Sequence, residues 1–149
     1  MKVFLTNTLA KWLKSIKVFG AFRFKMFYWF YRISGWHIRH REWDFVLDYL
    51  PPLAKWQTVT VLDVGCSRNL FCHELARRGY QVSGIDLEPY QDKFPGDFML
   101  ADIRQTWLCE RDFVTCISVL EHIETGKEKA LENMIKSLKI GGRLLLTIP

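Results

Sequence analysis

Residues 59–69 read VTVLDVGCSRN, and this stretch decides the fold. A short run of β-branched and aliphatic residues ends at Asp63 and Gly65, and a helix is predicted to begin at Leu70. A glycine at such a bend lets a ligand approach the backbone, and the free N–H groups of the new helix favour anionic or polar groups. A turn glycine is also common for reasons of chain geometry alone, so both interpretations stay open at this point.

The alternation of short apolar runs with helical stretches continues along the chain. The predicted strands are residues 59–64, 80–85, 97–100, 113–118 and 143–148. The clearest helices are residues 70–78, closed by Gly79, and residues 128–139, ahead of Gly141 and Gly142. Parallel strands need crossover connections and are covered on both faces, so this pattern predicts an α/β fold with an open parallel sheet sandwiched by helices.

Acidic residues end three consecutive strands of this pattern, namely Asp86, Asp102 and Glu121. In open parallel sheets, ligands bind beyond the carboxyl ends of the strands, where the strand order reverses. Asp86 lies 21 positions after Gly65, about the spacing at which nucleotide-binding sheets place a carboxylate against a ribose diol. The competing interpretation is that Asp86 only caps the following turn. A nucleoside, with its several donors, would relieve the repulsion between neighbouring carboxylates.

Taken together, these segments resemble the class I S-adenosylmethionine-dependent methyltransferases. The five matching segments are VLDVGCSRNL, VSGIDLEP, FMLADI, TCISVLEHI and LKIGGRLLLTIP, which cover residues 59–149 in the family's order. The VLEH form is similar to a subgroup that includes ubiquinone-pathway O-methyltransferases and other small-molecule methyltransferases. The resemblance implies a Rossmann-like sheet, S-adenosyl-L-methionine as cofactor, and methylation of a small-molecule or lipid-linked acceptor on oxygen. The alternative is a truncated or degenerate cofactor-binding module without turnover, which recruits a partner or a membrane.

The resemblance also implies a role for each cofactor-binding position. It places Gly65 and Cys66 beside the methionine part, Asp63 as the residue that orders their loop, Asp86 on the ribose hydroxyls, Leu87 beside the adenine, Asp102 on the adenine amino group, Ile103 as a backbone N–H donor, and Ile117 at the methionine end. Ser67 and Asn69 depart from the family, because glycines usually stand at these positions. The departure adds bulk next to the expected cofactor.

His122, at the tip of the fourth strand, is the candidate catalytic residue. It is expected either to act as a base or acceptor contact, or to be a structural residue of the VLEH turn. His37 and His40 have an HxxH spacing without a third ligand in sequence, so no metal site is predicted.

Charge divides the 149-residue chain into two parts, residues 1–50 and residues 51–149. The first carries nine basic and three acidic residues, and the second carries twelve and thirteen. We therefore predict a basic, aromatic, amphipathic helical extension ahead of a methyltransferase core. Leu5, Leu9, Trp12, Ile16 and Phe19 share one helical stripe, but no window is apolar enough for a membrane span or a secretory signal.

Three roles for residues 1–36 stay open. The segment packs on the following domain, or it makes peripheral membrane contact with lysines toward anionic headgroups, or it binds nucleic acid, which is the least favoured. The four cysteines match no metal or disulfide pattern, which indicates reduced thiols in a cytoplasmic protein. Members of the family continue beyond the fifth strand, so we expect a fragment, or an exposed fifth strand that is covered by the front segment or by self-association.

Overall fold

The computed structural model describes residues 37–149 except residues 69, 90, 91, 93, 109 and 149, with only the backbone for residues 37–40. The predicted helix within residues 1–36, its partners and Asn69 therefore lie outside the described residues. The chain divides into two compact units, Met1–His40 and Arg41–Pro149, and the second contains the whole sheet.

The elements alternate as the sequence predicts. In chain order they are α1 (His37–Tyr49), β1 (Thr60–Val64), α2 (Leu70–Arg77), β2 (Gln81–Asp86), β3 (Asp97–Leu100), β4 (Arg111–Ile117), a 3₁₀ helix (Leu120–His122), α3 (Lys127–Lys136) and β5 (Leu138–Thr147). The strands form one sheet in the order β3-β2-β1-β4-β5, and every neighbouring pair is parallel. The predicted open parallel α/β sheet is thus confirmed, and its strand order reverses between β1 and β4.

Two apolar layers cover the two faces of the sheet, because side chains along a strand alternate between its faces. Val61 and Phe113 pack with residues of α1 and α2 on one face. Leu62 and Val114 pack with Ala130 and Met134 of α3 on the other face. The sheet is therefore the middle of a three-layer sandwich, and β1 and β4 are buried on both sides.

The prediction that the last helix extends to residue 139 is wrong. The helix ends at Lys136, and β5 already begins at Leu138, which pairs with Arg111 of β4. Ser137, the residue at the C-cap of the helix, is buried and donates its hydroxyl to the carbonyl of Asn133 at 2.8 Å. Gly141 takes a left-handed φ of 83°, which lets β5 pass an irregularity and then resume regular pairing at Phe113.

At the amino edge of the sheet, Asp112 ties three strands together. Its carboxylate accepts hydrogen bonds from the backbone and the hydroxyl of Thr60, both at 2.7 Å, and pairs with Lys139 at 2.9 Å. Beside it lies an open pocket of about 570 Å³. Because ligands of parallel sheets bind at the opposite, carboxyl edge, we assign this pocket no role in the chemistry.

A second carboxylate, Asp63, is buried in the middle of the sheet. It accepts hydrogen bonds from the Thr115 hydroxyl of β4 at 2.6 Å and from the Cys72 thiol of α2 at 3.3 Å. Burial raises the pKa of Asp63 from 3.8 to about 6, although both hydrogen bonds lower it. Asp63 thus links β1 to β4 and α2 at the cost of a carboxylate that ionises only with difficulty.

None of the helices in the described part of the chain has the length and apolar character needed to cross a bilayer.

The pKa of Asp63 predicts a specific pH dependence of stability. A carboxyl group whose pKa is higher when folded binds protons more readily in the native state, so its contribution falls as the pH rises from about 4 to about 6. Asp63→Asn removes this titration. We expect the free energy of unfolding of the variant, relative to the parent, to rise by about 2 to 3 kcal/mol between pH 4 and pH 7, measured by urea unfolding.

Asp97→Asn is the matched control, because Asp97 is an exposed carboxyl group at the start of β3. The rise between pH 4 and pH 7 should be larger for Asp63→Asn than for Asp97→Asn. Parallel pH curves for Asp63→Asn and the parent would contradict the assignment of a raised pKa to Asp63.

Candidate functional site

The carboxyl ends of β1 and β4 meet at the point where the strand order reverses. Gly65 follows β1 with a left-handed φ of 70°, and its N–H donates to the carbonyl of Ile85 on β2 at 2.8 Å. A Cβ at Gly65 would overlap the side chain of Val119, which follows β4. The glycine therefore allows the turns after β1 and β4 to approach closely, so chain geometry alone already requires it, and ligand approach at Gly65 stays a prediction.

Asp86 ends β2 and contacts the turn that follows β1, which contains Gly65 and Ser67 and is called the glycine turn below. One carboxylate oxygen accepts a hydrogen bond from the backbone N–H of Ser67 at 2.7 Å, and the other accepts one from the N–H of Glu88 at 3.0 Å. The bond from Glu88 is the turn cap that the sequence offered as the competing interpretation of Asp86. The bond from Ser67 joins Asp86 to the loop that follows the neighbouring strand β1. With respect to the described residues, each carboxylate oxygen of Asp86 keeps a further lone pair.

Ser67 occupies one of the positions where the family usually has glycine. Its φ of 48° lies in the left-handed region, which costs an L-residue roughly 1–2 kcal/mol. The same conformation directs the Ser67 N–H toward Asp86. The turn therefore has the backbone conformation that favours glycine, and Ser67 is strained in it.

Asp102 lies at the same edge but is already paired. Ala101 donates its N–H to the backbone carbonyl of Asp86 at 3.0 Å, which brings the end of β3 beside β2. The guanidinium of Arg104 contacts both Asp102 oxygens, at 2.6 to 3.0 Å, and its backbone N–H adds a further bond. These hydrogen bonds lower the pKa of Asp102 and occupy most of its lone pairs.

The apolar residues predicted for the site differ in exposure. The Leu87 side chain is 65% exposed beside Asp86, Ile103 is buried with its carbonyl accepting from Asn133, and Ile117 is half-buried at the end of β4. Cys66 is buried, with its thiol against Gly84 of β2. Burial raises the pKa of Cys116 to about 12 and that of Cys72 well above its usual value, so neither thiol is a nucleophile at neutral pH.

His122 lies at the end of the 3₁₀ helix that follows β4. Its side chain is 77% exposed, and its Nε2 is 3.9 Å from a carboxylate oxygen of Glu121. Both carboxylate oxygens of Glu121 are themselves buried and accept no hydrogen bond from the described residues. The ring of His122 is therefore open to a molecule arriving from solvent. Among the described residues, no three His, Cys, Asp or Glu side chains are grouped to hold a metal ion.

Sequence reasoning missed one acidic residue at this edge, Glu42 of α1. Its carboxylate accepts a hydrogen bond from the hydroxyl of Ser118, the residue after β4, at 2.6 Å. The signal was present in the sequence, because Glu42 lies four positions before Val46 and so falls on the buried stripe of the helix. An acid on an apolar helical face is unusual enough to mark the position.

Comparison with known proteins agrees with this geometry. A family model described as "Methyltransferase domain" matches residues 35–149. The chain is 31% identical over 136 residues to the ubiquinone biosynthesis O-methyltransferase of Azoarcus sp., covering 74% of this chain and 58% of that protein. It is 33% identical over 100 residues to the Idiomarina loihiensis protein of the same name, covering 58% and 41%. The chain thus spans about half the length of these relatives.

Solved structures share the fold. A TehB-like SAM-dependent methyltransferase from Corynebacterium glutamicum has a TM-score of 0.62 at 20% identity, covering 83% of this chain and 69% of that one. Phosphoethanolamine N-methyltransferase 2 of Haemonchus contortus, in complex with S-adenosyl-L-methionine, has a TM-score of 0.60 at 20% identity, covering 73% and 28%. The sheet, its reversal between β1 and β4 and the matched family model lead to one conclusion: the chain belongs to the methyltransferase domain family and has the Rossmann-like fold of class I methyltransferases.

Proposed function

We propose that this domain binds S-adenosyl-L-methionine at the carboxyl edge of the sheet and transfers its methyl group to an oxygen of a small-molecule or lipid-linked acceptor. The observation that carries the proposal is the hydrogen bond from the Ser67 N–H to Asp86. It joins the glycine turn of β1 to the carboxylate of β2, the pair of features that nucleotide-binding sheets use. The names of the Azoarcus and Idiomarina relatives support oxygen as the methylated atom.

The residues at this edge fit most parts of the cofactor. Asp86 keeps lone pairs for the two ribose hydroxyls, and the exposed Leu87 beside it suits the face of an adenine ring. We assign the methionine part to the backbone turn at Gly65 and Cys66, with Ile117 at the end of the neighbouring strand β4. Asp102 fits less well, since contact with the adenine amino group would require Arg104 to move. Asp63 is not assigned a contact with the cofactor. Its hydrogen bonds join β1 to β4 and α2, which position the turn after β1.

Most of the rate in such a transfer comes from positioning the acceptor in line with the methyl group. When bound, the cofactor supplies an activated methyl group on a sulfonium. The domain's own task is to orient the acceptor and to remove the proton of its hydroxyl group. We assign that proton transfer to His122, whose ring is exposed at the tip of β4. The family match favours this enzymatic function over a module without turnover.

Calorimetric titration with S-adenosylhomocysteine tests cofactor binding. We expect the parent protein to bind and Asp86→Ala to lose about a hundredfold in affinity, because two hydrogen bonds to a charged group are removed. Asp97→Ala is the control at the opposite edge of the same sheet and should bind like the parent. Absence of heat from folded parent protein would overturn cofactor binding, and unchanged affinity of Asp86→Ala would overturn the ribose contact.

Steady-state transfer of a labelled methyl group to a phenolic quinone precursor tests His122. His122→Asn should lower kcat by about 10²-fold or more while the affinity for S-adenosylhomocysteine stays the same, since a general base acts on the acceptor and not on the cofactor. His73→Asn, a change of a histidine on α2, serves as the control. An unchanged kcat and pH–rate profile in His122→Asn would leave His122 as a structural residue of its turn.

Two further contacts stay predictions. Peripheral membrane contact through residues 1–36 predicts co-sedimentation with anionic vesicles that is lost at high salt, and the absence of co-sedimentation at low salt would contradict it.

Self-association through β5 is supported by its place at the edge of the sheet and by the exposed Ile140 and Ile148. A mass that does not change with concentration in sedimentation would contradict it. A cytoplasmic location is likewise proposed.

A further inference from the structure

We propose that Glu42 holds the amino group of the methyl donor, with its free carboxylate oxygen accepting a hydrogen bond from the α-ammonium of the methionine part. The proposal rests on the proposed cofactor binding at the carboxyl edge of the sheet. It adds a specific anchor from α1, outside the strand-end segments from which the site was predicted.

The two oxygens of the Glu42 carboxylate differ. The residue is only 9% exposed, and Oε1 accepts the hydroxyl of Ser118 at 2.6 Å. Oε2 is buried and has no hydrogen-bond partner in the part of the chain that the structure describes. A buried carboxylate oxygen without a donor is costly, so such an oxygen at a binding edge indicates that a ligand supplies the donor.

The position of Glu42 matches the methionine end of the proposed site. Ser118 follows β4 and precedes Val119, whose side chain occupies the space that a Cβ at Gly65 would need. Trp43, next to Glu42, packs on Phe71 at the start of α2 with 5.4 Å between ring centroids. Glu42 is thereby held at the reversal between β1 and β4, whereas the ribose ligand Asp86 lies on β2, on the other side of β1.

The chemistry of the contact selects an amino group. A carboxylate oxygen only accepts hydrogen bonds, and a charged ammonium with several N–H groups forms the strongest ones with it. Ser118 fixes the carboxylate through Oε1, so that Oε2 is oriented before the ligand arrives. An amine of the acceptor could supply the same chemistry, and the choice of ligands below separates the two sources.

The experiment compares two ligands by calorimetry, S-adenosylhomocysteine and 5′-S-(3-carboxypropyl)-5′-thioadenosine, which lacks only the amino group. The parent should bind the first about tenfold to a hundredfold more tightly. In Glu42→Gln, the amide still accepts from Ser118 but presents an N–H group in place of Oε2. We expect this variant to bind both ligands equally, at the parent's affinity for the second.

The controls separate this contact from a structural role. Asp44→Asn makes the same charge change at an exposed position of the same helix and should keep the full preference for the amino group. Ser118→Ala removes the hydrogen bond to Oε1 and leaves the charge of Glu42 unchanged. It should reduce the preference for the ligand with the amino group several-fold, and it replaces Glu42→Gln as the test if that variant fails to fold. A preference unchanged in Glu42→Gln, or an equal loss for both ligands, would overturn the proposal while cofactor binding stands. Failure of the folded parent to bind either ligand would overturn the proposed function itself.

Discussion

The close approach of the turns after β1 and β4 is the constraint on which the rest of this domain depends. Gly65 has no Cβ, and the side chain of Val119 takes that space. Any larger residue would separate the two turns at the one point where the strand order reverses. The N–H of Gly65 is also bonded to Ile85 of β2, so three neighbouring strands share the same fixed turn. The candidate site therefore lies where backbone contacts join three neighbouring strands.

Three of the carboxylates at this edge, those of Asp86, Asp102 and Glu42, are held by other protein groups before any ligand binds. Asp86 is held by the backbone of Ser67 and Glu88, Asp102 by Arg104, and Glu42 by Ser118. Such contacts reduce the ordering that binding would otherwise require. These contacts also make the carboxylates different as hydrogen-bond acceptors. Asp86 and Glu42 can accept further hydrogen bonds, whereas the bonds from Arg104 leave Asp102 little capacity to do so. Differences of this kind decide which acids can bind a ligand at an edge where several meet.

Asp63 shows the opposite use of a carboxylate. It lies at the end of the same strand as the glycine turn, but both its oxygens are directed to Thr115 and Cys72 inside the protein. Burial raises its pKa to about 6, so the group is retained although its ionisation is unfavourable in the fold. Its hydrogen bonds join β1, β4 and α2, which are the elements that position the turn. An acid near the site thus supports the geometry without facing a ligand.

The sequence by itself determined the sheet, its parallel pairing and the edge at which the site is proposed, because apolar runs, helical stripes and the glycine after β1 are local patterns. Tertiary structure decided the rest. The end of α3 and the early start of β5 depend on pairing with β4, and the pairing of Asp102 depends on the conformation of Arg104. Glu42 and Ser118 are 76 positions apart, so only packing of α1 on the sheet brings them together. Sequence periodicity indicates which face of a helix or strand is buried. Contacts between residues that are distant in sequence depend on how the buried faces of the helices and strands pack against one another.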